Sequence, residues 1–250
     1  MTRPQRVGEL QLCQDVSAAD WLVHGVRGFD HADTVGSLIP TGADAYARLF
    51  HPAYRQVDDV LEGVRWRDVA RSNGKVAHPA MEWVAITGGW RFLQKETQPG
   101  VWDHWPRTGS LPAAEASVLA ELLAEHTTTR TACYFAVWEG FGALAVDSDS
   151  APKFAMPDRR MLLFSGPLPA ITTSLERRPW DRSASMWWPD DRSWCVATDV
   201  DLMSTYIGGT RMCIESLIAD ERLEAMPVPS DQGFRWDGDG INATPPRAST

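Results

Sequence analysis

The sequence predicts an α+β fold: a mixed, largely antiparallel sheet with a few amphipathic helices packed on it. Three observations carry this. Short runs of β-branched, aromatic and apolar residues recur between Gly, Pro and Asp signals, the pattern of strands closed by turns. One window, residues 111–126, repeats its apolar positions at helical spacing. A chain of 250 residues with 44% hydrophobic, 10% aromatic and 23% charged content can bury enough surface to offset its ordering entropy in one domain.

Taken in order, strands are expected at residues 35–39 and 81–87, with residues 44–50 open to either strand or helix. Leu111, Ala114, Val118, Leu119, Leu122 and Leu123 form the apolar stripe of the clearest helix, with Glu115, Glu121 and Glu125 on other faces. Ser110 is its expected N-cap, and Pro112 is compatible with a first turn. Residues 131–139 then read as a strand closed by Gly140 and Gly142, and 161–165 and 194–198 as further strands. After Gly208 and Gly209, Thr210 caps a second helix whose stripe is Cys213, Ile214, Leu217 and Ile218. One domain is therefore expected over residues 1–228, followed by a Pro/Gly/Ser/Asp-rich tail over 229–250 whose last residues, 243–250, are expected to be disordered, as is the start at 1–6.

Composition excludes several partners. The net charge is −9 and the basic residues are scattered, so no cationic face is ready to neutralise phosphates, and nucleic acid is not an expected partner. The first fifteen residues have no apolar core of a secretion signal, and no apolar run reaches the ~20 residues that span a bilayer, so neither membrane nor export is expected. Cys13, Cys133, Cys195 and Cys213 are widely spaced without CxxC or zinc-finger spacing, which fits a cytoplasmic chain with free cysteines, three of them in apolar segments.

Lys75, Lys95 and Lys153 are the three lysines among 24 basic residues, a bias typical of GC-rich genomes. The segments FHPAYR from Phe50, HPAMEW from His78, CYFAVWEGFG from Cys133 and WWPDDRSWCVATDVD from Trp187 resemble a family of uncharacterised proteins of high-GC Gram-positive bacteria over residues 38–228. The resemblance implies no activity and assigns no catalytic residue.

No GxxxxGK[ST] loop, GxSxG elbow or HExxH motif is present, and no cofactor is expected. GFGALA from Gly140 has the glycine spacing of a dinucleotide loop, but VDSDSAPKF follows where a helix would have to receive the pyrophosphate. Asp199 and Asp201 follow an apolar strand, and two carboxylates at i and i+2 share a face that could hold a hard cation. Yet 21 aspartates generate about two such triplets by chance, and the chain has three, with Asp147/Asp149 and Asp237/Asp239. A solvated turn is thus the simpler account. Gly208, Gly209 and Thr210 ahead of Arg211 could cradle an anion, or could be an ordinary cap. His51 and His78 each open an HPA tripeptide and form a site only if their loops converge; the other histidines are His24, His31, His104 and His126.

The twelve tryptophans are the largest departure from average composition. Trp83, Trp138 and Trp194 lie in expected strands and read as core. Trp102, Trp105, Trp187 and Trp188 stand beside Pro, Asp or His in VWDHWP and MWWPDD, where a loop would leave part of each ring free to stack on a cation or a sugar.

Three functional readings follow. The first is a non-catalytic cytoplasmic binding protein, of the immunity-protein kind, that meets a basic protein partner or a small ligand through Trp102, Trp105, Trp187, Trp188, Glu139, Asp199, Asp201 and Arg211. The second is an enzyme on glycosides or sugar nucleotides, with Glu82, Glu139, Asp199 and Asp201 as acid, base or metal ligands. The third is a purely structural or oligomerising domain, which requires no concave pocket.

Overall fold

The computed structural model describes residues 5–28, 33–93 and 96–246. In chain order the elements are β1 (Arg6–Val7), β2 (Leu10–Leu12), α1 (Asp20–Gly25), β3 (Ala45–Phe50), β4 (Ala53–Val57), β5 (Val60–Val64), α2 (Trp66–Ser72), α3 (Trp83–Thr87) and α4 (Ala113–Ala124). There follow β6 (Cys133–Trp138), β7 (Lys153–Met156), β8 (Arg159–Gly166), β9 (Met186–Pro189), β10 (Trp194–Ala197), β11 (Ser204–Gly209), α5 (Arg211–Ala219) and β12 (Ala225–Val228). Among the described residues ten strands form one sheet in the order β1-β2-β8-β6-β9-β10-β11-β3-β12, with β7 sharing the outer edge of β8 with β2, and β4–β5 stands apart as a hairpin. All of these pairings are antiparallel, so the fold is α+β with an antiparallel sheet, as the sequence predicts.

Both faces of the sheet are covered. One face carries α4 and α5 over Leu49, Phe135, Leu162, Phe164, Trp187, Trp194 and Ile207. The opposite face buries Tyr46, Leu163, Met186, Trp188, Cys195 and Tyr206 beneath Leu22 of α1 and the 35–39 segment. A third cluster around Phe50, Trp66, Trp83 and Trp102 fills the space between the sheet edge and α2 and α3. Successive residues of a strand point to opposite faces, so a sheet covered twice makes every position of β9 and β10 interior.

Local expectations divide along this line. The strand at 44–50 is β3, and 131–139, 161–165 and 194–198 hold β6, β8 and β10. Thr210 caps α5 by accepting the Cys213 N–H at 3.3 Å. Residues 81–87 are not a strand but contain the buried helix α3, which Gly88 ends in the left-handed region at φ 78°. All five of its residues are interior, so it shows no amphipathic period that would distinguish it from a strand. Residues 35–39 begin with the 3-10 turn Val35–Ser37, and the Val35 and Gly36 N–H groups bond Gln232 and Ser230 carbonyls instead of a sheet. Ser110 is not the cap of α4: Pro112 holds that position, and the Ser110 hydroxyl is buried against Ser183.

The segment after Val228 is packed onto the body. Phe234, Asp239 and Asn242 are buried in it, and it lies beside residues 33–36. Of the end at 243–250, the last four residues lie outside the described ones, as do His31 and residues 1–4 at the start. No helix among the described residues is long and apolar enough to cross a membrane. Cys133, Cys195 and Cys213 are core residues whose burial raises their thiol pKa, Cys133 and Cys213 to about 12.

Candidate acidic cleft

The four tryptophans expected to grip a ligand do not form a surface. Trp102 is 0% exposed, Trp187 1% and Trp188 0%, while Trp105 alone of the four reaches solvent at 36%. Trp187 and Trp188 are neighbours on β9 between β6 and β10, so they enter opposite cores, Trp187 edge to face with Trp194 and Trp188 stacked on Tyr134. Pro189 marks the end of a central strand, not a loop. Trp102 sits against Trp83 and Phe92 with its indole N–H donated to Gln98.

Two other tryptophans face an open cleft of ≈ 840 Å³. Its walls come from the β7–β8 turn (Asp158, Arg159), the loop after β10 (Asp199, Asp201, Leu202), Asp33, Trp90, and the C-terminal segment (Phe234, Arg235, Trp236, Asp237, Thr244, Pro245). The half-buried rings of Trp90 and Trp236 are nearly parallel, with an interplanar angle of 11° and centroids 6.4 Å apart, and the Trp90 indole N–H is donated to the Pro245 carbonyl at 2.6 Å. Trp236 lies in the 229–250 stretch whose composition reads as a tail, which hides it as a wall residue. Its RWDGDG context, an indole between opposite charges, was the available signal.

Five aspartates therefore face two arginines, and both arginines are already engaged. Arg159 forms a two-pronged pair with Asp199 at 2.9 and 3.0 Å, and its guanidinium lies over the Trp138 ring. Arg235 reaches Asp33 at 3.1 Å and Asp237 at 3.6 Å. Among the described residues Asp158 and Asp201 have no ion-pair partner, and both are exposed in the cleft. Asp158 adopts φ 56° at the tip of the β7–β8 hairpin, a left-handed conformation that Asp tolerates. Gly109, at φ 71°, packs so closely on the Val200 carbonyl that a side chain there would displace the 199–201 loop.

Asp199 and Asp201 thus share a cleft but do not form a paired metal site. Asp199 is taken by Arg159 and accepts the Asp201 backbone N–H at 3.2 Å. No group of three or more His, Cys, Asp or Glu side chains among the described residues is placed to hold a metal ion. Glu139 does not line this cleft. It is paired with Arg160 and with Lys153 at 3.2 Å, and although its slight burial works the other way these two cations hold its pKa below the ordinary value. Arg211 is exposed at the start of α5, and Gly208 and Gly209 belong to β11, where they pair with β10 and β3 rather than cradling an anion.

A buried polar block anchors the C-terminal segment that supplies one wall of the cleft. Asp239 accepts from the backbone N–H groups of Glu82, Ile241 and Asn242, and its Oδ1 lies 2.8 Å from His78 Nε2. Burial pushes the Asp239 pKa up, but the Asn242 side-chain amide and the three backbone N–H donors outweigh it and hold the carboxylate below its ordinary range. His78 and His51 do not converge: His51 is buried between the Arg107 carbonyl at 2.6 Å and the Thr205 hydroxyl at 2.8 Å. The carbonyl fixes the Nδ1–H tautomer, so Nε2 accepts from Thr205. Comparison of the chain with protein-family models, with curated proteins and with solved structures finds no match.

Proposed function

We propose that this chain is a non-catalytic binding protein whose acidic, tryptophan-walled cleft receives the cationic group of a basic protein partner or of a small ligand. The observation that carries this reading is the composition of the cleft: two arginines already neutralised, two aspartates unpaired among the described residues, and two indole faces alongside. A concave wall of one sign focuses its field on the enclosed solvent, and indole faces add attraction for a cation. The volume lies within the ~300–1,000 Å³ common for ligand sites.

The glycoside reading lacks this support. Of its four carboxylates, Glu82 is paired with Arg48, Glu139 with Lys153 away from the cleft, and Asp199 with Arg159, which leaves Asp201 as the one without a cation among the described residues and no acid/base pair. The purely structural reading leaves the cleft without a role.

The test is calorimetry with a short peptide of alternating lysine and arginine. Binding that weakens steeply with salt, and that falls about tenfold or more in an Asp158→Asn/Asp201→Asn double variant, is expected. A peptide that fails to bind, or binds the double variant equally well, rules the reading out.

A further inference from the structure

Asp201, Leu202 and Trp236 line both the cleft and a smaller recess. That recess has a volume of ≈ 20 Å³, and its remaining walls include Arg48, Trp66, Glu82 and Trp83. It has room for a group the size of a single water. Trp66 and Trp83 lie with ring centroids 5.2 Å apart, so with Trp236 three indoles line the recess beside its buried ion pair and Asp201.

That pair is unequal. The Arg48 guanidinium is buried over the Phe50 ring and spreads its donors over four acceptors: Ser204 Oγ at 3.0 Å, the Met81 carbonyl at 3.0 Å, the Pro79 carbonyl at 3.3 Å and Glu82 Oε1 at 3.0 Å. Glu82 receives only part of that charge. Burial pushes its pKa up to about 7 in spite of Arg48, and Asp239 and Asp237 push in the same direction. Other titratable groups around the pair are the Tyr206 hydroxyl of β11, His51, which faces the Arg48 charge, and Asp201, which lines the same recess. A carboxyl in this state would be stabilised in its ionised form by a second cationic donor.

We propose that the recess is the head-group subsite of the cleft, selecting a primary ammonium group over a guanidinium or a quaternary ammonium, with Glu82 as its counter-charge. The inference rests on the cleft being a cation site and adds the class of cation. A primary ammonium head is compact, close to water in size, and presents three rotatable donors, whereas a guanidinium is a wide planar fork and a quaternary ammonium is bulkier and has no donor. Trp66, Trp83 and Trp236 line the recess around the head, and Trp236 also lines the cleft, where the alkyl stem would lie.

The experiment is a calorimetric titration of the full chain with n-butylammonium, n-butylguanidinium and tetramethylammonium chlorides at equal ionic strength. At about pH 8, n-butylammonium is expected to bind about tenfold more tightly than the other two. At about pH 5.5, where Glu82 is protonated, that preference is expected to shrink to within about threefold. Glu82→Gln is expected to lose the preference at both pH values. Because this substitution leaves Arg48 buried without its counter-charge and can cost the fold, the ranking and its pH dependence in the unsubstituted protein are decisive alone. Equal binding of the three cations, or a preference for guanidinium, overturns the subsite while leaving the cleft reading intact. No binding of any of them, together with no binding of the basic peptide, overturns both. A folded Glu82→Gln protein that keeps the preference overturns the role of Glu82.

Discussion

Trp90 and Trp236, 146 positions apart in the chain, lie against each other, their nearly parallel rings 6.4 Å between centroids at the wall of the acidic cleft. Neither ring is fully buried, so removing one costs little packing but deletes an aromatic face from the cleft. Trp236→Ala is expected to weaken the basic peptide about tenfold while lowering unfolding free energy by no more than about 1 kcal/mol. Calorimetry and urea denaturation of the same preparation measure both quantities.

Trp187 behaves in the opposite way. Its ring is interior and meets Trp194 at 5.3 Å and 78°, so truncation leaves a cavity between the sheet and its helices. Trp187→Ala is expected to destabilise the protein by about 3–5 kcal/mol. A loss of peptide binding without a shift in the denaturation midpoint would contradict the placement of this ring.

Two buried groups change stability with pH in opposite directions. Burial lowers the His51 pKa to about 4, so the folded chain holds it neutral and its contribution to stability is lost as pH falls from about 6.5 towards 4. Glu82 has the opposite sign: with its pKa raised to about 7, the folded chain binds the proton more tightly than the unfolded one, and stability is lost as pH rises from about 4.5 to 7. Replacing His51 by Gln is expected to flatten the acid limb by an amount on the order of 3 kcal/mol, seen as a smaller change in urea midpoint between about pH 6.5 and 4.

Asp239 ties the C-terminal wall of the cleft to the start of α3. Its replacement by Ala removes the acceptor of three backbone N–H groups and of the His78 contact, all but the Ile241 bond in buried surroundings. A loss on the order of 3 kcal/mol is expected, together with faster hydrogen exchange at residues 239–242 and loss of peptide binding. Unchanged exchange in that segment would show that another contact holds the wall.

What the residues alone determined was set by local pattern: the α+β class, the helices α4 and α5, the strands β6, β8 and β10, and the cap at Thr210. Each of these has a period, a cap or a turn signal contained within a few neighbouring positions. The strand expected at 81–87 is helix α3 because a fully buried run has no contrast between faces from which to read a period. Asp199 and Asp201 were legible as an acidic pair, but Arg159, which claims the first of them, lies forty positions away in sequence. Tertiary structure decided which indoles stay wet. Trp187 and Trp188 are interior because strands on both sides and layers on both faces enclose β9, whereas Trp236 stays half-buried in a segment that outside the sheet meets Asp33 and Trp90, and enclosure of either kind depends on contacts far apart along the chain.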